Sequence, residues 1–451
     1  MKKIIILLLA ISMIFSFVAC DNEQEVPKVS ITATVFDKEP VKLLINADTS
    51  LASVLKNEQV KTLIGEETDY VILVNGKVEA TSYVLKDGDK VAIIVNGEGT
   101  EESPRLISSA EELTAAVGEN KHIKFLSDIT VPANTWFGSV YTGTIDGDGH
   151  KLIIADPPMD VKYESESEFA LFYGINGTIK NLKYETNGFK ALVRFSVGNL
   201  VFDGVNAYGE MNGADTNVGP YLLFVNSNVT FKNCNNYVNI IDRMGGNHYG
   251  SAFVAGYVLK DASSTAQISF DHCNNYGKLF FGTHAGLFMG NPNNLKPENV
   301  TITESYNYGL IQAFGDVGCI SWPNSVFNDT ADVAKYNKEG GKIEKVENSI
   351  TGFKVNADGS FEVTTKGITN AKILLQFNIN YKFKSNGEDA GNRNMTLEYK
   401  IPADNKLPKA IMQADAEHKH ESVKDGVLYI DPFAYEFKES ECEVKNFDLC
   451  G

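Results

Sequence analysis

The chain is 451 residues long, carries a formal charge of −17 at pH 7 and is 43% hydrophobic. That is length for several domains and enough apolar content for sizeable cores. The acidic balance, with Arg105, Arg194, Arg243 and Arg393 as its sole arginines, excludes the basic stripe that nucleic-acid binding requires. It also disfavours heavily anionic ligands, for which arginine is the usual fork.

The first predicted element is a targeting segment. Lys2 and Lys3 precede an apolar run, Ile4 to Val18, that is too short for a comfortable bilayer span. The run closes on Phe17-Val18-Ala19-Cys20, which resembles the lipobox of bacterial lipoproteins. The resemblance implies that residues 1–19 are a signal peptide, that Cys20 carries the lipid (palmitate), and that the chain is lipid-anchored at the outer membrane or cell surface. An ordinary secretory signal that ends near a cysteine is the alternative. Residues 20–27 are acidic and polar and read as a solvated tether. No further long apolar run follows, so an anchored rather than a spanning chain is expected.

Residues 28–98 are expected to form a first folded unit. Lys28 to Val35 alternates with period two, and Val41 to Ile45 gives a second strand. Thr49-Ser50 precedes a helix carrying Leu51, Val54, Leu55, Val60 and Leu63. Tyr70 to Val74 reads as a buried strand, Asn75-Gly76 as a hairpin turn, and Val91 to Val95 as the last strand. This order, with "VNGK…VLKDGDKVAII", resembles the β-grasp fold of small sulfur-carrier proteins. Those carriers react through a free C-terminal Gly-Gly, whereas Gly97-Glu98-Gly99 here runs on into the chain. A spacer or ligand-binding β-grasp is the reading that survives.

The acidic, proline-bearing stretch 97–104 reads as a linker. Ser109, with Glu112 three residues on, starts a short helix carrying Leu113 and Ala116. Beyond it a phrase repeats: FDGVNAYG ending at Gly209, FKNCNNYV at Val238, FDHCNNYG at Gly277 and ITESYNYG at Gly309. An internal repeat of this kind predicts a solenoid, each unit burying its apolar face only against its neighbours. Phe202, Phe231, Phe270 and Ile302 fill one slot and are expected to stack inside. Val205, Cys234, Cys273 and Ser305 fill the next, which tolerates only small groups; a Cys234–Cys273 bridge is the alternative for that pair. Asn206, Asn235 and Asn274 align, as do Asn236, Asn275 and Asn307, and are expected to form amide ladders at a bend. The Tyr-Gly pairs mark the next turn. Asp203, Lys232, Asp271 and Thr303 share a freely varying slot, as a solvated face does.

The succession "IKFLSDIT", "GTIDGDGHKL", "LFYGINGTIKNLKY" and then these phrases resembles bacterial surface proteins with GLUG-type repeats on a pectin-lyase-like parallel β-helix. The match covers roughly half of the chain. It implies a mainly β protein in which residues 104–330 form a right-handed parallel β-helix with an N-terminal capping helix. Lys335 to Lys345 reads as a linker. Residues 340–451 carry successive strands with polar turns, among them Ile373 to Phe383, and suggest an antiparallel β-sandwich.

Chemistry-bearing clusters are few. Asp146 and Asp148 in Ile-Asp-Gly-Asp-Gly lack the spacing of a calcium loop and read as a turn. His418 and His420 lack further metal ligands nearby. No catalytic, cofactor or metal residue is assigned, and no cofactor is expected. Trp136, Phe137, Tyr141, Tyr249, Tyr257 and Trp322 are placed at coil edges; Trp136, Tyr249, Tyr257 and Trp322 are the candidates for stacking on a ligand. Cys442 and Cys450 are a candidate disulfide. The favoured function is a surface lipoprotein that acts as an adhesin or binds a glycan or host protein. The alternatives are a polysaccharide lyase or glycoside hydrolase on the same scaffold, and a structural surface-fibre component.

Overall fold

The computed structural model describes residues 26–36, 38–155, 170–188, 190–212, 219–241, 249–257, 266–281, 284–291, 295–313, 315–321 and 333–345. Within these, the side chains at 187, 188, 212, 241, 249 and 255–257 are not described, and strands between Ile350 and Asp448 are described by their backbone alone. The protein is mainly β, with large parallel sheets. It divides into two compact units, Met1–Gly97 and Glu98–Gly451.

In the first unit, strands β1 (Lys28–Val35), β2 (Val41–Asn46), β3 (Tyr70–Val74), β4 (Lys77–Val78) and β5 (Lys90–Val95) form one sheet in the order β2-β1-β5-β3-β4. β1 and β5 are parallel and the other pairs antiparallel. The single helix expected after Ser50 is two helices, α1 (Leu51–Leu55) and α2 (Glu58–Ile64). Asn57 divides them. Its Oδ1 accepts from the backbone N–H of Gln59 at 2.9 Å and of Val60 at 3.4 Å, an N-cap that starts the second helix. Leu51, Val54 and Val60 pack with Ile31, Ala33, Val35, Val91 and Ile93 into a core. β3 is half-buried except at Val74, rather than buried throughout. Asn75 and Gly76 have φ of 52° and 80°, the pair of positive values a two-residue hairpin turn needs.

The second unit opens with α3 (Ala110–Gly118). Ser109 Oγ accepts from Glu112 N–H at 3.2 Å, and the Glu112 carboxylate reaches back to Ser108 N–H at 2.6 Å. This reciprocal cap fixes the start of the helix and lets Leu113, Ala116 and Val117 bury against the first strands.

From Arg105 to Lys345 the chain makes successive passes, each laid on the one before. One sheet runs from Arg105–Ile107 through Phe137–Asp146, Ala170–Lys180 and Ala191–Asp203, and continues as paired short strands to Met289–Asn291 and Val300–Thr303. A second runs from Ile129–Val131 through Lys183–Gly188 and Asn206–Asn212 to Leu310–Ala313 and Lys342–Lys345. A third, of three strands, joins Tyr249–Ser251, His284–Gly286 and Val317–Gly318. All the strand pairs within these sheets are parallel, and their registers match the repeated phrase residue for residue: Phe202 with Phe231, Phe231 with Phe270, Phe270 with Ile302. Parallel neighbours cannot be joined by tight hairpins and need crossover connections.

The interior is a set of columns. The Phe202, Phe231 and Phe270 rings stack at 4.8 and 4.9 Å, within 8° of parallel. Tyr221, Phe253 and Phe288 form a second column at 5.4 and 5.9 Å. Val205, Cys234, Cys273 and Ser305 are all buried in the expected small slot. Cys234 and Cys273 are free thiols, so the bridge between them is not formed. The residue before each of them (Gly204, Asn233, His272, and Glu304 before Ser305) has positive φ, as has Asn181 one pass earlier. One left-handed bend thus repeats along the stack whatever side chain occupies it.

Two expectations are corrected within this unit. Tyr141 and Phe137 are core residues, not coil-edge aromatics. The Tyr141 hydroxyl donates to the carbonyls of Lys121 at 2.6 Å and Thr144 at 3.0 Å, and burial pushes its pKa upward. The segment read as a linker is a further pass. Lys342–Lys345 pairs with Leu310–Ala313, Asn337 bridges Asn307, and Tyr336 is buried with its ring 5.8 Å from that of Phe288. Past this pass the described strands pair antiparallel: Ile350–Val355 with Phe361–Thr365, and Lys372–Ile379 between Arg393–Lys400 and Cys442–Asp448.

Candidate functional site

The repeated phrase builds a regular surface of stacked and hydrogen-bonded side chains. Within Asn-Asn-Tyr, strand alternation sends the second Asn inward and the flanking Asn and Tyr outward. The inward residues form a buried ladder. Asn236 Nδ2 donates to Asn275 Oδ1 at 2.7 Å, Asn275 Nδ2 to Asn307 Oδ1 at 2.8 Å, and Asn307 Nδ2 to Asn337 Oδ1 at 2.9 Å. Each amide of the inner pair also clamps its own chain two residues on: Asn275 accepts from Gly277 N–H and donates to Gly277 C=O. Both amide groups of Asn275 are therefore satisfied without water.

The outward residues form two parallel rows. Asn235 Nδ2 donates to Asn206 Oδ1 at 2.8 Å and Asn274 Nδ2 to Asn235 Oδ1 at 3.1 Å, and Tyr306 takes the next place in that row. Beside it Tyr208, Tyr237, Tyr276 and Tyr308 stack ring on ring. Their centroids are 4.9, 4.9 and 5.0 Å apart, with planes within 9° of parallel. The step is the spacing of neighbouring strands in a sheet. Three such contacts are worth roughly 2–4 kcal/mol together beyond the area they bury.

Tyr237 and Tyr276 remain 39% and 42% exposed. Because the rings cover each other's faces, what they offer to solvent is a ridge of edges and hydroxyls. Partial burial and the adjacent phenols raise the Tyr237 and Tyr276 pKa values, so these hydroxyls stay protonated. At one end of the ridge Glu185 shares the tyrosine register and is held by Lys151 at 2.7 Å. At the other, Tyr306 stands edge-on to Tyr308, under the Lys338 ammonium at 4.8 Å. A third outward column reads Glu210, Asn239, Lys278, Leu310 and Lys342. The sequence reading took the Tyr-Gly pairs as turn markers and missed this ladder, although period-two alternation from the buried Asn236 already places Tyr237 outward.

Of the four predicted stacking aromatics, Trp136 alone has a described side chain. Trp136 is half-buried and meets Tyr173 edge-on at 6.0 Å; Tyr173 in turn contacts Phe195, which stacks on Phe224 and lies under the Arg194 guanidinium. This cluster sits over buried Ala170, Ala191 and Leu223. The strands Tyr249–Ser251 and Val254–Tyr257 place the backbones of Tyr249 and Tyr257, but their side chains lie outside the description. Cys20, Trp322, His418, His420 and Cys450 lie outside the described residues, as does the side chain of Cys442.

Asp146 belongs to a turn: its Oδ1 accepts from Asp148 N–H at 3.0 Å and from the Asn181 amide, and Asp148 and Gly149 have positive φ. Burial pushes the Asp146 pKa up, but these donors and Lys180 outweigh it and leave it lowered. A general acid needs the opposite displacement. Among the described residues no group of three or more His, Cys, Asp or Glu is placed to hold a metal ion. No helix among them is long and apolar enough to cross a membrane.

No protein-family model matches this chain, and no curated protein and no solved structure matches it.

Proposed function

We propose that the protein is a surface-anchored binding scaffold whose ligand-contacting site is the tyrosine–asparagine face. In this reading Cys20 carries a lipid at the cell surface or outer membrane. The first unit is a β-grasp spacer, the Arg105–Lys345 stack is a right-handed parallel β-helix with GLUG-like repeats, and the strands past Ile350 form a sandwich. The observation that carries the reading is the exposed row of stacked tyrosines beside a hydrogen-bonded asparagine row. Tyrosine gives large amphipathic contact area at low entropic cost, and here its rings are already fixed before a ligand arrives. The test is an array of glycans and matrix proteins probed with the full chain in detergent. Specific retention of one ligand class, lost in a Tyr237→Ala/Tyr276→Ala variant that keeps its circular dichroism, is expected. Retention of none, or retention indifferent to that variant, contradicts the reading.

A further inference from the structure

We infer that the ligand of this face is a neutral linear polysaccharide lying along the stacking direction, one sugar residue per rung; the inference rests on the binding-face reading. Its basis is periodicity. The tyrosine rings repeat at centroid spacings of 4.9, 4.9 and 5.0 Å. The asparagine row beside them repeats in the same register, Asn206 with Asn235 and Asn235 with Asn274. A surface with one repeat favours a polymer whose advance per unit matches it, because each added unit then falls on a rung. An equatorially linked pyranose chain advances by roughly one such step per residue. An extended peptide advances by about 3.3 Å per residue and falls out of register at once. A peptide that adds as a strand uses a sheet edge, and this site is a sheet face. An amphipathic helix needs an apolar groove, whereas the exposed parts of these rungs are hydroxyls, ring edges and amides.

The chemistry of the rungs agrees. A sugar presents hydroxyls at its rim and C–H groups across its face. Each rung offers a protonated phenol as donor or acceptor and an apolar ring edge, and the Tyr208, Tyr237 and Tyr276 rungs add an outward amide two residues away along the strand. The amide row is already linked by its own hydrogen bonds, so its orientation is set before binding. Charge selects within the class. The third column mixes Glu210 with Lys278 and Lys342, and none of the described arginines lies in these columns. A polyanion would find no fork and a polycation no acidic row, which leaves a neutral chain.

The experiment is calorimetric titration of the full chain in detergent with soluble cello- and manno-oligosaccharides of increasing length. A uronic-acid oligomer and an unstructured peptide serve as comparators. The dissociation constant should fall with each added sugar until the oligomer spans the four stacked rings, then level off. Tyr237→Phe/Tyr276→Phe keeps the stack and removes two hydroxyls; it should weaken the longest oligomer by about tenfold or more, equivalent to about 1.4 kcal/mol. Lys56→Ala, in the first unit, should change nothing. No binding of either oligomer series, an affinity independent of length, equal binding by the Phe pair, or preference for the uronic-acid oligomer overturns the inference. If the oligosaccharides fail while a matrix protein binds and the Phe pair abolishes that binding, the binding face stands and only its ligand class is wrong. If every ligand fails, both fall.

Discussion

Asn275→Ala is the sharpest probe of what holds the stack together. Asn275 is fully buried. Its side chain makes four hydrogen bonds: it accepts from Asn236 at 2.7 Å and Gly277 N–H at 3.2 Å, and donates to Asn307 at 2.8 Å and Gly277 C=O at 3.1 Å. Alanine removes all four and leaves Asn236 Nδ2 with only the Val238 carbonyl at 3.5 Å. At about 1 kcal/mol net per bond, plus the cost of polar groups left buried and unpaired, the loss is about 3–5 kcal/mol. For a body of about 150–250 residues, each kcal/mol shifts the melting temperature by roughly 2–4 °C, so a fall of at least about 6 °C is expected by calorimetry. Hydrogen exchange should accelerate first at residues 274–281 and in the passes either side, since coupling in a stack runs to nearest neighbours. Asn275→Asp tests the same logic from charge. A carboxylate accepts but cannot donate to Asn307 and Gly277, and its burial raises its pKa. The variant should therefore be unstable at neutral pH and recover as acid protonates it into a donor. A melting temperature within about 2 °C of the parent for the alanine variant would refute the reasoning.

Other outcomes follow from the same columns. Phe231→Ala opens a hole between rings stacked at 4.8 and 4.9 Å and should cost about 3–5 kcal/mol by denaturant titration. Gly277→Ala drives a methyl into the Val238 carbonyl and should cost about 1–3 kcal/mol, although valine stands in the equivalent position of the previous pass. Cys273→Ser should be nearly neutral, within about 1 kcal/mol, because Ser305 already fills that slot one pass later. Asp89 gives a pH signature in the first unit. Burial raises its pKa, but Lys86 N–H, the Asn75 amide and Tyr83 together hold it below the ordinary value. Its contribution is present above the unfolded value of about 3.9 and is lost as pH falls through the lower folded value. Asp89→Asn should flatten that acid limb in a pH series of melts.

Much of the second unit was legible because a stacked repeat writes its columns into aligned positions. The Phe column, the small Cys slot and both asparagine rows are each readable by aligning the four copies of the phrase. The tyrosines were misjudged for a related reason: a Tyr-Gly pair looks like a turn, and the glycine does need its place. That need comes from close backbone approach at Gly277, not from a positive φ, and the tyrosine before it is free to point outward. The final pass was hidden by composition. Lys335 to Gly341 looks like a linker because Lys338 replaces the aromatic, yet Asn337 keeps the ladder position. In the first unit Asn57 stopped one helix and started another, a local cap that the apolar spacing around it masks.

The most direct test of the binding face is hydrogen exchange of the full chain with and without the ligand selected on the array. Protection concentrated in residues 206–212, 235–241 and 274–281, and absent from the Tyr237→Ala/Tyr276→Ala variant, is the predicted result. Protection centred on the Trp136–Tyr173 cluster or in the first unit, with the tyrosine strands unchanged, would contradict it.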